Sequence, residues 1–258
     1  MIGVPNENNI LIVSPLQDYP THSSAEVMLR AKEHAEKKGY DVSTLYSLMA
    51  NRPTLELMIK TVDPVFVFYG GHGLHDRWVA NAMSILDEKN AHIMKGRIIV
   101  ANPVCKTLRY LGPITVRNGA LAYLGSASDV WVVPNIEGET RYRDQIMDVW
   151  TNVYKDLLDG KTVAEAHERY IRDSDRLIRN WNKESYPHAR EVSMYVAHNR
   201  DVFGYTGYGS IKVLPPQSPR INMINYGKIG TAILIGGLIT SAAIVYDSTR
   251  RRKHEIIQ

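Results

Sequence analysis

Two residues that could carry out chemistry follow separate apolar runs in the middle of the chain. Cys105, the only cysteine, comes shortly after the run 97–101, and His72 lies in a glycine-rich segment directly after the run 65–69. Short runs of β-branched and aromatic residues are typical of strands buried in a parallel sheet. Ligands and reactive groups gather at the carboxyl ends of such strands. We therefore expect both residues at one sheet edge, where a thiolate can attack a substrate and an imidazole can exchange the proton.

Each residue also has a simpler interpretation. A single cysteine is most often a small buried hydrophobe, and a histidine beside glycines is often only a loop residue. His75 lies close to His72 but outside the Gly-His-Gly pattern, and Asp76 is predicted to be a surface residue, although it could orient an imidazole. The position of Cys105 and His72 at matching strand ends is what favours a catalytic pair.

Five segments resemble, in order, those of the caspase-like (gingipain-type) cysteine peptidase family. Segment 68–78, which reads Phe-Tyr-Gly-Gly-His-Gly-Leu-His-Asp-Arg-Trp, resembles the family's histidine segment. The other four are 98–105 (nucleophile strand and loop), 118–126 (following strand), 159–166 (entry to a late helix) and 201–213 (last strand). Two departures stand out: the last motif lacks the usual Asp-Pro, and Val104 replaces a residue that is often small and polar. The second departure leaves room for an inactive relative.

The resemblance implies a fold and a set of roles. The fold would be α/β, with a caspase-like, mostly parallel sheet flanked by helices. Cys105 would attack the scissile carbonyl, and His72 would protonate the leaving amine. Backbone N–H groups near Gly71 and Gly73, or at Cys105 itself, would stabilise the oxyanion.

The resemblance also points to a substrate pocket in the loop 125–131, which follows the strand after the nucleophile. Asp129 is predicted to pair with an Arg or Lys side chain of a substrate, while Trp131 covers the aliphatic stem of that Arg or Lys side chain. Trp78, the tryptophan shortly after the histidine, is assigned to the same substrate-binding side. A solvated aspartate in a turn remains the alternative for Asp129.

Composition limits the classes of function. The chain has 258 residues, is 44% hydrophobic and carries a net charge of +4, which suits one domain with a full core and an appendage. Aromatic residues are not interleaved with a basic stripe, so no nucleic-acid partner is predicted. One cysteine excludes an intrachain disulfide, and no Cys/His cluster has zinc spacing. The first strand is not followed by a glycine-rich phosphate loop, which argues against nucleotide binding. No metal or other cofactor is expected.

The C-terminal segment 229–246 is uncharged and apolar on all sides. At about 1.5 Å per residue it spans roughly 27 Å, close to the hydrocarbon thickness of a bilayer. Lys228 precedes it and a basic cluster, 250–253, follows it, as interfacial anchors do. We expect a domain at 1–214, a Pro-containing linker at 215–228, a single transmembrane helix at 229–246 and a basic tail at 247–258. A buried core helix is disfavoured by the Pro-rich linker that precedes the segment.

Orientation and assembly follow from the same segment. The first nine residues lack the features of a signal peptide, so the main domain is predicted to stay on the cytoplasmic side. The basic cluster 250–253 favours the opposite orientation, and Lys212, Arg220 and Lys228 nearly balance it. Small residues recur every fourth position within the span, as Ala232, Gly236 and Thr240. This spacing predicts a homo-oligomer or a partner transmembrane helix, in addition to contact with membrane lipid.

The periodicity of the first 214 residues predicts alternating strands and helices, and therefore parallel βαβ units. Strands are expected at 9–14 and 41–46 and near 65, 97 and 120. The first helix is expected to be capped by Ser23 with Glu26, and a late helix by Thr162 with Glu165. The segment 73–94 is poorly periodic and is interpreted as a helix with a loop beside the active edge.

Two hypotheses remain open. The first is a membrane-anchored cysteine peptidase that hydrolyses peptide bonds in peptide or protein substrates with Cys105 and His72. The second is a catalytically inactive, caspase-like interaction or structural module on a membrane.

Overall fold

The computed structural model describes residues 5–132, 140–183 and 188–216. They belong to one compact unit, Met1–Pro219. The strands in this part of the chain are β1 (Asn6–Ser14), β2 (Asp41–Tyr46), β3 (Pro64–Tyr69), β4 (His72–Leu74), β5 (Arg77–Ala80), β6 (Met83–Asp87), β7 (Ile98–Ala101), β8 (Ala122–Ser126) and β9 (Phe203–Gly207). The α-helices are α1 (Tyr19–Lys37), α2 (Arg52–Val62), α3 (Leu111–Arg117), α4 (Thr140–Leu158), α5 (Val163–Trp181) and α6 (Ala189–Val202), and Ser47–Met49 and Ala91–Met94 form 3₁₀ turns.

The main sheet of the described residues has the strand order β2-β1-β3-β7-β8-β9. Its first five strands run parallel, and β9 joins antiparallel to β8. The strands β3 and β7 are direct neighbours, with Phe66 opposite Ile98 and Tyr69 opposite Ala101. The prediction that the strands before His72 and Cys105 end at one sheet edge is therefore confirmed, as is the mixed α/β class.

Both faces of the main sheet are buried, which explains the continuous apolar runs. Ile10 and Ile12 of β1 pack into the core that includes α1, α4, α5 and α6. Leu11 and Val13 point to the opposite core, which includes α2, α3 and the smaller sheet. Successive side chains of β1 therefore enter different cores, so every position of its run 10–13 has to be apolar.

The start of α1 corrects one prediction. The N-cap is Asp18, which accepts a hydrogen bond from the Thr21 N–H, while Thr21 bonds back to the Asp18 N–H. Pro20 stands in the first turn, where its missing N–H costs nothing. The predicted cap, Ser23, lies within α1, and its side chain is buried. By contrast, the capping box of Thr162 with Glu165 at the start of α5 is confirmed.

The segment 73–94 is not a helix, contrary to the prediction. It contributes the antiparallel sheet β4-β5-β6, followed by the turn Ala91–Met94. The two-residue connection between β5 and β6 has Asn81 at φ 51° and Ala82 at φ 60°. Such left-handed backbone suits a tight hairpin. Alanine is rare there, so the sequence lacks the usual Asn-Gly signal of the turn.

The predicted membrane span 229–246, most of the linker and the basic tail lie outside the described residues. Within the part of the chain that the structure describes, no helix combines the length and apolar composition needed to cross a bilayer.

Candidate active site

The segment 70–74, here called the histidine loop, follows β3 and includes the short strand β4. A buried tyrosine holds it in place. The Gly70 N–H donates to the Val13 carbonyl at 3.0 Å, which continues the sheet register by one residue. The hydroxyl of Tyr69 lies 2.8 Å from the carbonyl oxygens of both His72 and Val79. Because Tyr69 is completely buried, this hydroxyl fixes the backbone at His72 and ties it to β5.

His72 pairs with Asp18, a residue that the sequence interpretation did not select. The Nε2 atom of His72 lies 2.6 Å from Oδ2 of Asp18. Asp18 follows β1, the strand next to β3. A sequence signal existed, since Asp18 and Thr21 have capping-box spacing just after a buried strand. Asp76, considered as the partner of an imidazole, instead pairs with Arg77.

The Asp18 carboxylate is positioned by the helix that it caps. Its Oδ1 accepts from the Thr21 N–H at 3.1 Å, which leaves Oδ2 for His72. Partial burial raises the pKa of Asp18, but the hydrogen bonds with His72 and Thr21 outweigh it and hold the pKa below its usual value. The carboxylate is therefore ionised at neutral pH and can only accept a hydrogen bond.

The charge state of Asp18 fixes the tautomer of neutral His72. Because the carboxylate is an acceptor, Nε2 must carry the proton, and Nδ1 then holds the lone pair. Within the described residues, the hydrogen bond of the His72 side chain is the one that Nε2 makes with Asp18. The imidazole thus presents Nδ1 as the nitrogen that can take up a proton.

The segment 102–106, here called the cysteine loop, follows β7 and is anchored by α4, through Tyr154, and by α1. The N–H of buried Asn102 donates to the Tyr154 hydroxyl at 3.2 Å, and that hydroxyl is also bonded to the Asn102 carbonyl. The Ser24 hydroxyl of α1 donates to the Pro103 carbonyl at 3.3 Å. These bonds fix the chain immediately before Cys105.

Cys105 is half-buried, and its sulfur lies beside the loop after β8. The Val130 N–H is 3.3 Å from Sγ, and the Lys106 N–H donates to the Ser128 carbonyl at 2.9 Å. Burial raises the pKa of the Cys105 thiol, and the Asp129 charge and a hydrogen bond with Asp129 raise it further. The Val130 N–H and the Lys106 charge act in the opposite direction.

The histidine and cysteine loops are in direct contact through Gly73. A methyl group placed on Gly73 would overlap the Cys105 carbonyl oxygen and would lie 2.5 Å from Thr107 Cγ2 and 2.6 Å from Val104 Cγ1. The backbone next to His72 therefore packs against the backbone of Cys105, and only glycine fits there. The sulfur itself accepts from Val130 rather than from His72.

The loop after β8 lies against α6. Asp129 forms an ion pair with Lys106, with 2.9 Å between Oδ1 and Nζ. Trp131 is 41% exposed and stacks on the His198 ring, with 3.9 Å between centroids. Asn199 holds the Trp131 backbone by accepting from its N–H and donating to its carbonyl, each at 2.8 Å. Asp129 is thus beside Cys105, and Trp131 follows two residues later on the same loop. The contact of either side chain with a substrate stays a prediction.

Trp78 requires a correction. Its side chain is completely buried, stacks on Tyr69 with 4.3 Å between centroids and donates from Nε1 to the Tyr123 hydroxyl at 2.8 Å. A side chain without accessible surface cannot contact a substrate. Trp78 instead supports Tyr69, which holds the histidine loop.

Comparisons with known proteins identify the fold. No protein-family model matches the chain, and no curated protein matches it either. Similar solved structures include a protease at 14% identity, the arginine-specific cysteine proteinase gingipain R at 12%, and the complex of the pro- and mature domains of gingipain RgpB from Porphyromonas gingivalis at 11%. They cover 81%, 80% and 80% of this chain with TM-scores of 0.54, 0.54 and 0.53.

The chain spans about half the length of these neighbours, because the alignments cover 50%, 47% and 48% of them. At such low identities the similarity concerns the fold alone. The fold is the caspase-like one, with a mostly parallel central sheet flanked by helices, and the neighbours that have it are proteases.

Proposed function

We propose that this chain is a membrane-anchored cysteine peptidase in which Cys105 is the nucleophile, His72 the general acid and base, and Asp18 the residue that orients His72. The observation that carries the proposal is the packing of Gly73 on the backbone of Cys105. It brings the histidine and cysteine loops together at the carboxyl edge of β3 and β7, where catalytic groups of parallel sheets gather.

The chemistry needs one proton relay. The thiol proton of Cys105 passes to Nδ1 of His72, and the thiolate attacks the scissile carbonyl carbon to form a C–S bond. The C–N bond then breaks, and the imidazolium returns the proton to the leaving amine. Water hydrolyses the thioester and restores the thiol. Backbone N–H groups at Gly71, Gly73 or Cys105 carry the proposed oxyanion contact.

Covalent labelling tests this function. A peptidyl chloromethyl ketone should add once to the folded protein, which the intact mass counts, and peptide mapping should place the adduct on Cys105, the only cysteine. Cys105→Ala should abolish the adduct. His72→Ala should slow it, while iodoacetamide still reports whether the thiol is accessible. A labelling rate no higher than that of the unfolded chain would contradict a peptidase site.

For the substrate we propose a basic residue before the cleaved bond. The Asp129 carboxylate is half-exposed beside Cys105 and already pairs with an ammonium group, that of Lys106, so a substrate cation would take the place of Lys106. Exposed Trp131 offers an aromatic surface for the stem of that side chain. A peptide library should favour Arg or Lys at this position, and Asp129→Asn should remove the preference. Equal cleavage of basic and neutral peptides by the unaltered protein would refute the pocket.

Membrane attachment is proposed through 229–246, with the main domain on the cytoplasmic side. The support is the uncharged length of this segment and its basic flank. The full chain should stay with membranes during alkaline carbonate extraction, and Ile235→Arg with Leu238→Arg should release it. Protection of the main domain from added protease would report its side. Recovery of the unaltered chain in the soluble fraction would contradict the anchor.

A catalytically inactive module is the second candidate, and a specific observation favours it. Sγ of Cys105 bonds with Val130 rather than with His72, and burial raises the pKa of its thiol. Burial reduces the thiolate fraction in the unliganded protein, and the bond from Val130 leaves the sulfur without the imidazole contact that would activate it. An inactive module should show slow alkylation, no peptide adduct, and unchanged membrane or partner association in Cys105→Ala.

A further inference from the structure

We propose that Lys106 and Asp129 are positioning residues that set the thiolate fraction of Cys105 in opposite directions, with Asp129 favouring the thiol and Lys106 the thiolate. The inference deepens the proposed function and rests on it only for the role of Cys105 as nucleophile. The state of the thiol can be measured without any peptide substrate.

The geometry of the two loops carries the inference. Lys106 directly follows Cys105, and its Nζ lies 2.9 Å from Oδ1 of Asp129. Asp129 in turn precedes Val130, whose N–H points to the Cys105 sulfur at 3.3 Å. The ion pair therefore joins the residue after the sulfur to the loop that contacts the sulfur. Both charges act on a half-buried thiol from the two segments that flank it.

The backbone at Lys106 holds this arrangement. Its φ of 61° lies in the left-handed region, which is costly for a residue with a Cβ. Hydrogen bonds across the two loops stabilise this turn, from the Lys106 N–H to Ser128 and from the Leu108 N–H to Ser126. A strained, non-glycine residue beside a reactive group is typical of functional sites.

Four titratable or charged groups lie on the segments that pack around Cys105. Lys106 lies on the cysteine loop and Asp129 on the loop after β8. His198 of α6 bonds to the Asp129 carbonyl through Nε2 at 2.8 Å, and His72 stands on the loop that packs against Cys105. Asp129 raises the pKa of the Cys105 thiol by its charge and a hydrogen bond, and the Lys106 charge lowers it. A carboxylate and an ammonium are expected to have these opposite effects on an ionising thiol.

The alkylation rate of Cys105 by iodoacetamide, measured from pH 6 to 11, tests the inference on the full chain in detergent. The midpoint of the pH profile should fall by about half a pH unit in Asp129→Asn and rise by about the same amount in Lys106→Asn, a size suited to half-exposed charges. Asparagine tolerates the left-handed backbone at position 106, so this variant removes the cation with little strain. Lys106→Arg keeps the cation and should keep the midpoint.

Two controls separate electrostatics from structure. Glu36→Gln breaks an ion pair of similar length on α1, between Lys32 and Glu36 at 2.7 Å, and should leave the midpoint unchanged. Salt at about 1 M should bring the midpoints of the Asp129 and Lys106 variants closer together, because it screens exposed charges. Midpoints that shift in the same direction in both variants, or not at all, would overturn the inference. Peptide hydrolysis, measured separately, tests the proposed function: opposite shifts without hydrolysis would refute the peptidase and leave the ion-pair role standing.

Discussion

Nε2 of His72 lies 2.6 Å from Oδ2 of Asp18, and this pair joins loops that follow two neighbouring strands, β3 and β1. Cys105 follows β7, on the other side of β3. Three adjacent parallel strands thus deliver a carboxylate, an imidazole and a thiol to one edge of the sheet. In the proposed reaction the carboxylate has a defined task, which is to hold the proton on Nε2 so that Nδ1 can act as the base.

Asp18→Asn separates the charge of Asp18 from its structural role. Asparagine caps helices about as well as aspartate, so the free energy of unfolding should change by less than about 0.5 kcal/mol. The amide cannot stabilise an imidazolium, so labelling by a peptidyl ketone should slow by about 10²-fold or more. Thermal unfolding and labelling kinetics measure the two effects. Asp18→Ala should lower both the free energy of unfolding, because the helix cap is lost, and the labelling rate. A full labelling rate in Asp18→Asn would contradict a role for Asp18 in orienting His72.

Gly73→Ala should damage the contact between the histidine and cysteine loops. The added methyl group would collide with the Cys105 carbonyl, and Thr107 and Val104 leave it no space. Overpacking of this kind costs about 1–3 kcal/mol, and the displaced loops should also lose peptide labelling.

Gly204→Ala is the matched control for Gly73→Ala. Its added methyl group would meet only the end of the Leu108 side chain, at 3.1 Å, so stability and labelling should change little. Urea unfolding and labelling rates give the comparison. If Gly73→Ala changed stability and labelling as little as Gly204→Ala, this would contradict the close packing of the histidine loop on the cysteine loop.

The Asp87 carboxylate should contribute stability that disappears in acid. Partial burial raises its pKa, but bonds from Ser84, Arg52 and the Lys89 N–H outweigh this and lower the pKa. A lowered folded-state pKa means that the stabilisation is present above the unfolded value of about 3.9 and is lost as pH falls through the folded value. Asp87→Asn should therefore be less stable than the unaltered protein at pH 7, and urea unfolding should show this difference shrinking below about pH 4. A difference that stays constant from pH 7 to 3 would contradict this role.

Arg97→Met should destabilise the fold strongly, although Arg97 is far from the proposed chemistry. Its side chain is 2% exposed and binds the carbonyls of Ile93 and Lys95 and the Asp63 carboxylate. Asp63 is 36% exposed and stays solvated without its partner, so the loss comes mainly from the partly buried carbonyls that are left without a donor, about 1–3 kcal/mol. Arg172→Met is the control, because Arg172 is 66% exposed and its ion pair with Glu168 is long, at 3.6 Å. Chemical unfolding should give less than about 0.5 kcal/mol for that control, and equal effects of the two substitutions would refute the role of Arg97.

The sequence by itself determined the features that depend on neighbours along the chain. The apolar runs before His72 and Cys105 predicted two buried parallel strands, which β3 and β7 confirm. The spacing of Thr162 and Glu165 predicted the start of α5. These features follow from local periodicity and capping, where the interacting residues are within one or two turns of each other. The hairpin β5-β6 escaped prediction because its turn uses Asn81 and Ala82 rather than glycine.

Only the tertiary structure decided which distant residues meet. Asp18 reaches His72 because β1 lies beside β3, and Lys106 reaches Asp129 because β8 follows β7 in the sheet. The same packing places Trp78 in the core, where it supports Tyr69 instead of a substrate. Such contacts depend on strand order and on the space that remains between packed loops. A single sequence carries no local pattern for either, because the partners are separated by many residues and meet only when the sheet has formed.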